Sequence, residues 1–279
     1  EKNWAIFKYL KKHNKKIFLD ALATDHYYVK TCLDGKTFRY SDFFVGDRPL
    51  PHPERKKMLA AWIGGPNERP NIEMAQEANG IIACLYEYYA AYQPEYADKL
   101  AYIPIPIDLS INPFHPIKST PEVVKFFIGI QQHRTAIKGT DILLDVLREI
   151  HDKYPRESHI QKVVSVPFDE YNKLLVDCHI LLDQLYSYTP ATNALAAMAR
   201  GIIAVSGAEP EFYNFIGEQK LRPVINVLPD RNDIFKQLEN LIIHRDQLPR
   251  LSAESRQFVE KYHDHVKVAR QYLEFWEKH

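Results

Sequence analysis

The sequence predicts an α/β protein with two domains, the second complete and the first lacking its opening. Two observations carry this. From about residue 121 onward, short apolar runs alternate with amphipathic stretches at the spacing of right-handed βαβ units, which implies a parallel sheet covered on both faces. Before that, Ile103 to Pro116 holds four of the chain's 18 prolines, with Pro121 close behind. Proline cannot donate to a ladder, so this stretch reads as an edge strand running into an extended linker. The boundary is expected within 108–121. That gives an N-terminal domain over 1–115, a C-terminal domain over 116–262 and a last helix over 263–279.

The C-terminal domain reads off in order. Val123 to Ile130 is strand-like, and Thr140 is an N-cap candidate for a helix whose stripe is Leu143, Val146, Leu147 and Ile150. Val163 to Val166 predicts a short strand. Pro167 then stands where helices tolerate proline, ahead of Asp169 and Glu170 in a first turn. His179 to Leu182 is the next strand. Pro190 opens an alanine-rich helix over Ala191 to Arg200, which Gly201 closes. Ile202 to Ser206 and Val224 to Val227 are further strands, with helices from Asp233 to His244 and from Ser252 onward.

The N-terminal domain is less regular. Ile17 to Leu19 and Gly80 to Cys84 read as core strands, and Trp4 to Lys16 as an amphipathic helix. Ile81 to Leu100 mixes strand and helix signals. Because the chain opens directly into a helix, the domain's first strand and glycine loop are expected to be missing from it.

Composition narrows the function. Lys plus Arg equals Asp plus Glu at 36 each, so no overall field draws the protein to nucleic acid or to a membrane, and any phosphate site must be built locally. Cys32, Cys84 and Cys178 are odd in number and far apart, which argues against a disulfide framework or a zinc site and fits a reducing, cytoplasmic setting. No apolar run approaches the ~20 residues of a membrane span, and no signal-peptide pattern opens the chain. The 17 tyrosines cluster near Tyr27, Tyr28 and Tyr86 to Tyr96. They read as half-buried packing groups in preference to sugar platforms. No glycine-rich dinucleotide or phosphate loop and no Asp-x-Asp motif occur. His263 and His265 are two apart, on opposite sides of any helix, so they cannot chelate one metal.

Ligands of a parallel α/β domain sit beyond the carboxyl ends of the strands, where helix N-termini point inward. Two loops qualify. In Gly129 to Thr140, Arg134 and Lys138 lie four apart and Gly139 allows close backbone approach, which suits a diphosphate or, more simply, a basic surface loop. In Asp183 to Asn193, Ser187, Tyr188, Thr189, Thr192 and Asn193 crowd polar groups around a helix N-terminus. One cap would serve an ordinary connection, so five polar groups favour binding.

Four motifs then stand in a recognisable order: Lys138-Gly139, Leu195-Ala-Ala-Met-Ala-Arg-Gly201, Ile202-Ile-Ala-Val-Ser206 and Gly207-Ala-Glu-Pro-Glu211. Over residues 121–265 the chain resembles the group 1 family of GT-B glycosyltransferases, and within it the family 4-like bacterial enzymes that assemble surface polysaccharides. The resemblance implies two Rossmann-like domains of GT-B type, the first incomplete here. Ile105-Pro-Ile-Asp108 stands in the place of that family's hinge segment. The last helix, with Tyr272, Leu273 and Trp276, resembles its returning tail.

By that resemblance Arg134 and Lys138 neutralise the donor diphosphate, the amides of Ala191 and Thr192 cradle it, Pro167 and Phe168 border the base, and Glu211 lies in a turn packed against the site. One departure matters. Where the family carries two glutamates eight apart, this chain has Tyr188 and Ala196, so no carboxylate on that helix meets a ribose diol. Ser187, Tyr188 and Asn193 remain to bond a sugar or phosphate. On the acceptor side, Asp25 and His26 follow a strand end and are candidates to position or deprotonate a hydroxyl. Alternatively, Asp25 simply caps a helix.

The implied function is transfer of a sugar from a nucleoside-diphosphate donor to a glycan or lipid-linked acceptor, retaining, without metal or other cofactor. A lipid-linked acceptor would bring peripheral contact with the inner face of the membrane. The competing readings are a sugar-nucleotide epimerase and a non-catalytic nucleotide- or sugar-binding module of the same fold.

Overall fold

The structure, a computed structural model, describes residues 2–50 and 52–279. The chain divides into two compact units, residues 1–105 with 266–279, and residues 106–265. The division after residue 105 falls ten residues before the expected limit of 115.

The first unit runs α1 (Lys2–His13), β1 (Phe18–Ala21), α2 (His26–Cys32), a hairpin of β2 (Phe44–Val45) and β3 (Arg48–Pro49), α3 (Pro53–Trp62), α4 (Glu68–Glu77), β4 (Gly80–Ala83), α5 (Tyr86–Tyr96) and β5 (Leu100–Tyr102). Its three-stranded sheet is parallel, in the order β1-β4-β5. The central strand β4 is buried along its whole length, as a strand covered on both faces must be. The mixed signal of residues 81–100 resolves into β4, a turn and α5. The tyrosines pack inward: the Tyr27 ring lies 4.5 Å from Tyr92 and 5.4 Å from Tyr96, and the Tyr27 and Tyr96 hydroxyls meet at 2.5 Å. Edge strand β5 stops at Tyr102, ahead of the prolines that could not extend its ladder.

The second unit contains β6 (Val124–Ile130), α6 (Thr135–Lys138), α7 (Thr140–Lys153), β7 (Ser158–Val164), α8 (Phe168–Leu175), β8 (Ile180–Leu182), α9 (Thr192–Ala199), β9 (Ile203–Ser206), α10 (Pro210–Phe215), β10 (Ile225–Asn226), α11 (Arg231–Ile243) and α12 (Leu248–Tyr262). Its five strands are parallel in the order β10-β9-β8-β6-β7. From Pro106 the proline segment runs along this unit outside any strand, with the Ile107 amide donating to His263 O at 2.7 Å. The last helix α13 (His265–Lys278) belongs mostly to the first unit, where Val268 is buried with Ile82 and Ile103.

Several boundaries differ from the sequence expectation, and three of them have a clear physical reason. β7 begins five residues before Val163, because it is a half-exposed edge strand whose polar His159, Gln161 and Lys162 mask its register with β6. The N-cap of α7 is Gly139, at φ +68°, so Thr140 is already inside the helix and buried. α12 starts at Leu248, with Pro249 in its first turn. Ser252, expected near its start, sits inside the helix and donates to Gly201 O at 2.6 Å.

The core beside the sheet joins Phe127, Val163, Leu175, Leu181, Ala197 and Ile202. All three cysteines are free and buried. Among the described residues no helix is long and apolar enough to cross a membrane. Phe127 lies at the centre of β6 and is fully buried. Phe127→Ala should therefore lower the stability of the second unit by about 3–5 kcal/mol, read as a shifted urea midpoint with an unchanged slope.

Candidate functional site

Because all five strands of the second unit run the same way, their carboxyl ends share one edge, and a cavity of about 420 Å³ opens there. That volume is in the range of small-molecule sites, roughly 300–1,000 Å³. The register of β6 on β7, Gly129 against Val163 and Ile130 against Val164, builds its floor, from which Gly129, Ile130 and Val163 line the cavity. Phe168, Tyr171 and Leu175 of α8 form one wall. Thr192, Asn193, Ala196 and Arg200, from α9 and its C-cap, form the other, and Lys138 closes the α6 side.

Lys138 is held rather than free. Its backbone carbonyl accepts from the Leu185 amide at 2.8 Å, and its Nζ stands 3.6 Å from Asp183 Oδ1. The next residue must be glycine: Gly139 has φ +68°, and a Cβ there would come within 2.7 Å of the Leu185 Cβ. Asp183, at the tip of β8, is only 3% exposed and also accepts from Asn193 Nδ2 at 2.9 Å. One buried carboxylate thus fixes a cation and an amide that both line the cavity. Its second oxygen, Oδ2, has no hydrogen-bond partner.

α9 begins at Thr192 without a side-chain cap, so its first amides are left to solvent or to a ligand. Opposite, the Phe168 ring is 77% exposed although it lines the cavity. Behind it Tyr171 packs edge-on against Phe127, ring centroids 5.0 Å apart. Burial pushes the Tyr171 phenol up to about 12, so it stays protonated and able to donate. Ser165, at φ +47°, occupies the left-handed region that non-glycine residues seldom enter, and it too lines the cavity.

Of the residues expected at a donor site, the structure brings Lys138, Phe168, Thr192 and Asn193 together. Arg134 is exposed and outside the lining, and Gly139 lies behind it. Ser187, Tyr188 and Thr189 are buried at 9%, 2% and 0% exposure, also outside the lining. Their loop is pressed under the next turn: the Tyr188 carbonyl accepts from the Glu209 amide at 3.0 Å. A Cβ on Gly207 would fall 1.6 Å from Ser187 O, so only glycine lets these backbones pass. Glu211 lies in the first turn of α10, away from the lining.

In the first unit, Asp25 caps α2 by accepting from the Tyr28 amide at 2.9 Å and takes the Tyr92 hydroxyl at 2.7 Å. Burial raises its pKa. His26 Nδ1 lies 2.9 Å from Trp62 O, and the His26 amide donates to Asn71 at 3.0 Å. These bonds tie α2 to α3, α4 and α5.

Sequence reasoning missed Asp183, Tyr171, Ser165 and Arg200. Asp183 carried the one usable signal, a carboxylate directly after a fully apolar strand.

No protein-family model matches the chain, and no curated protein matches it by sequence. Solved structures do match. A mutant of TarM of S. aureus, in complex with Fondaparinux, alpha-GlcNAc-glycerol and UDP, aligns at 14% identity and a TM-score of 0.58, covering 76% of this chain and 47% of that one. HepE of Anabaena, in complex with UDP and glucose, aligns at 14% identity and a TM-score of 0.56, over 85% and 73%. Sucrose-phosphate synthase from Thermosynechococcus elongatus aligns at 13% identity and a TM-score of 0.63, over 99% and 70%. The chain spans about half the length of TarM. At these identities the likeness shows the fold, which is GT-B.

If Asp183 organises this site, removing it leaves a cation and an amide without their buried partner. Asp183→Ala should cost roughly 1.5–3 kcal/mol of stability in urea unfolding, more than a surface carboxylate removed elsewhere.

Proposed function

We propose that the chain is the working part of a glycosyltransferase that binds a nucleoside-diphosphate sugar in the second unit's cavity. The observation that carries this is the meeting of Lys138 with the uncapped N-terminus of α9 at one end of that cavity, in a lining that holds no aspartate or glutamate. A cation and free helix amides are what a diphosphate requires. As the sugar's bond to the diphosphate breaks, negative charge grows on the leaving group. Fixed donors already pointing at that charge stabilise it without reorganising. Such a site needs no metal.

The exposed Phe168 ring offers a face for a nucleobase to stack on at the cavity wall. Asn193 has its amide nitrogen committed to Asp183, which leaves its carbonyl oxygen to take a hydroxyl of the sugar or ribose. The fold is shared with structures holding UDP, UDP-glucose or UDP with a sugar, which supports a UDP-type donor. A glycan or lipid-linked acceptor is the fitting second substrate, and retention of configuration belongs to the same reading. Asp25 and His26 are assigned here to holding the first unit together, their atoms being engaged within it.

The sugar-nucleotide epimerase reading is disfavoured by the same lining, since acid–base chemistry on a sugar ring calls for carboxylates that the cavity lacks.

The test is thermal stabilisation by a panel of nucleoside diphosphates and their sugars. One of them should raise the melting temperature in proportion to RT ln(1 + [L]/Kd), and Lys138→Ala should abolish at least about 90% of that binding, in line with a lost charge-assisted contact. Release of the nucleoside diphosphate only when a glycan acceptor is added would establish transfer. Binding with no turnover for any acceptor would leave a nucleotide-binding module.

A further inference from the structure

A second cation, Arg200, lines the cavity. Thr192, Ala196 and Arg200 are four residues apart and share the same wall. At 1.5 Å per residue, Arg200 stands about 10 Å along the helix from Asn193, at the end remote from Lys138. A nucleoside spans a comparable distance between its 5′-phosphate and the far edge of its base.

Arg200 is also under-used. Its Nε donates to Asn112 Oδ1 at 2.9 Å, which fixes the guanidinium plane. It forms no ion pair among the described residues, and its two Nη groups have no acceptor there. Partial burial lowers its pKa without threatening its charge. Ala196, one turn nearer the phosphates, adds no polar atom. The short side chain leaves the cavity open from Asn193 down to the guanidinium, and Leu175 of α8 supplies an apolar wall opposite.

We infer that Arg200 is a second ligand-reading residue of this cavity, taking an oxygen acceptor of the bound nucleotide at the end away from its diphosphate. The inference rests on the donor-site reading above and specifies which donors the site accepts. A fixed fork of N–H donors matches a base that presents carbonyl oxygen, as uracil and guanine do. It opposes the exocyclic amino group that cytosine and adenine place there. A phosphate on the ribose offers the same acceptor chemistry by a different route.

The experiment is equilibrium binding of UDP, GDP, CDP, ADP and 2′-phospho-ADP to the full chain and to Arg200→Ala, Arg200→Lys, Asn112→Ala and Lys138→Ala. UDP or GDP should bind about tenfold to a hundredfold more tightly than CDP and ADP, the range expected for a bidentate arginine contact. Arg200→Ala should erase that preference by bringing UDP or GDP down to the affinity of ADP. Arg200→Lys, which keeps the charge but not the fork, should retain little of it. Tighter binding of 2′-phospho-ADP than of ADP, lost in Arg200→Ala, would instead name a ribose phosphate as the acceptor group.

The inference is overturned if Arg200→Ala binds every nucleotide as the parent does. Asn112→Ala, which frees the guanidinium plane, should lose part of the same preference, and the inference is equally overturned if Arg200→Ala lowers the melting temperature but leaves the preference for UDP or GDP intact. Failure of the donor reading looks different: no nucleotide binds the parent chain, or Lys138→Ala binds them all unchanged.

Discussion

A carboxylate that is 3% exposed needs hydrogen-bonding or charged partners in a protein interior, and the candidate site is organised around meeting that demand at Asp183. The partners come from two separate pieces of chain, Lys138 at the end of α6 and Asn193 at the start of α9. Their positions at the cavity follow in part from the carboxylate's, with the Tyr171 hydroxyl also beside Asn193. Asp183 in turn sits where it does because β8 pairs with both β6 and β9, which fixes the height of its tip. The Leu185 amide bonded to the Lys138 carbonyl adds a backbone clamp two residues on, and Gly139 permits that approach.

The electrostatic sense of the cavity follows. With Asp183 turned to Lys138 and Asn193 and excluded from the lining, the charged side chains left on the wall are Lys138 and Arg200. A carboxylate on α9 at the position of Ala196 would have offset them and bound a ribose diol. Its absence makes the site more favourable to anions and acceptor-rich groups at both ends.

Much of this was legible from residue patterns, and the limits were physical. The alternation of apolar runs with amphipathic stretches fixed β6, β8 and β9 to within a residue, because central strands of a parallel sheet are buried on both faces and read as near-continuous apolar runs, exposed Lys125 in β6 being the exception. Edge strand β7 broke that rule, and its polar His159, Gln161 and Lys162 hid five of its residues. At the site, Lys138 and the α9 N-terminus were readable because a cation and a helix start after strands are local features. Ser187, Tyr188 and Thr189 carried the same polar signal, but they serve a buried crossing beneath Gly207, a contact between loops 20 residues apart. Arg200 could not be picked out at all, since nothing local distinguishes an arginine at a helix C-cap facing solvent from one facing a cavity.

The polar clusters of the two units differ in what their unfilled valences allow. In the first unit the Asp25 carboxylate has an amide and a phenol, and the His26 ring a carbonyl, so the group closes on itself and rigidifies the packing of α2 on its neighbours. In the second, the α9 amides and the Arg200 Nη groups are left open around one cavity, and Asp183 Oδ2 stays unpaired behind its wall. Folding alone would favour closing them, because open polar valences in a partly buried site cost stability that a core of the same shape would keep. Their retention at one edge of one sheet, between two cationic side chains, is what the proposed donor site requires, since a bound nucleoside diphosphate would complete them.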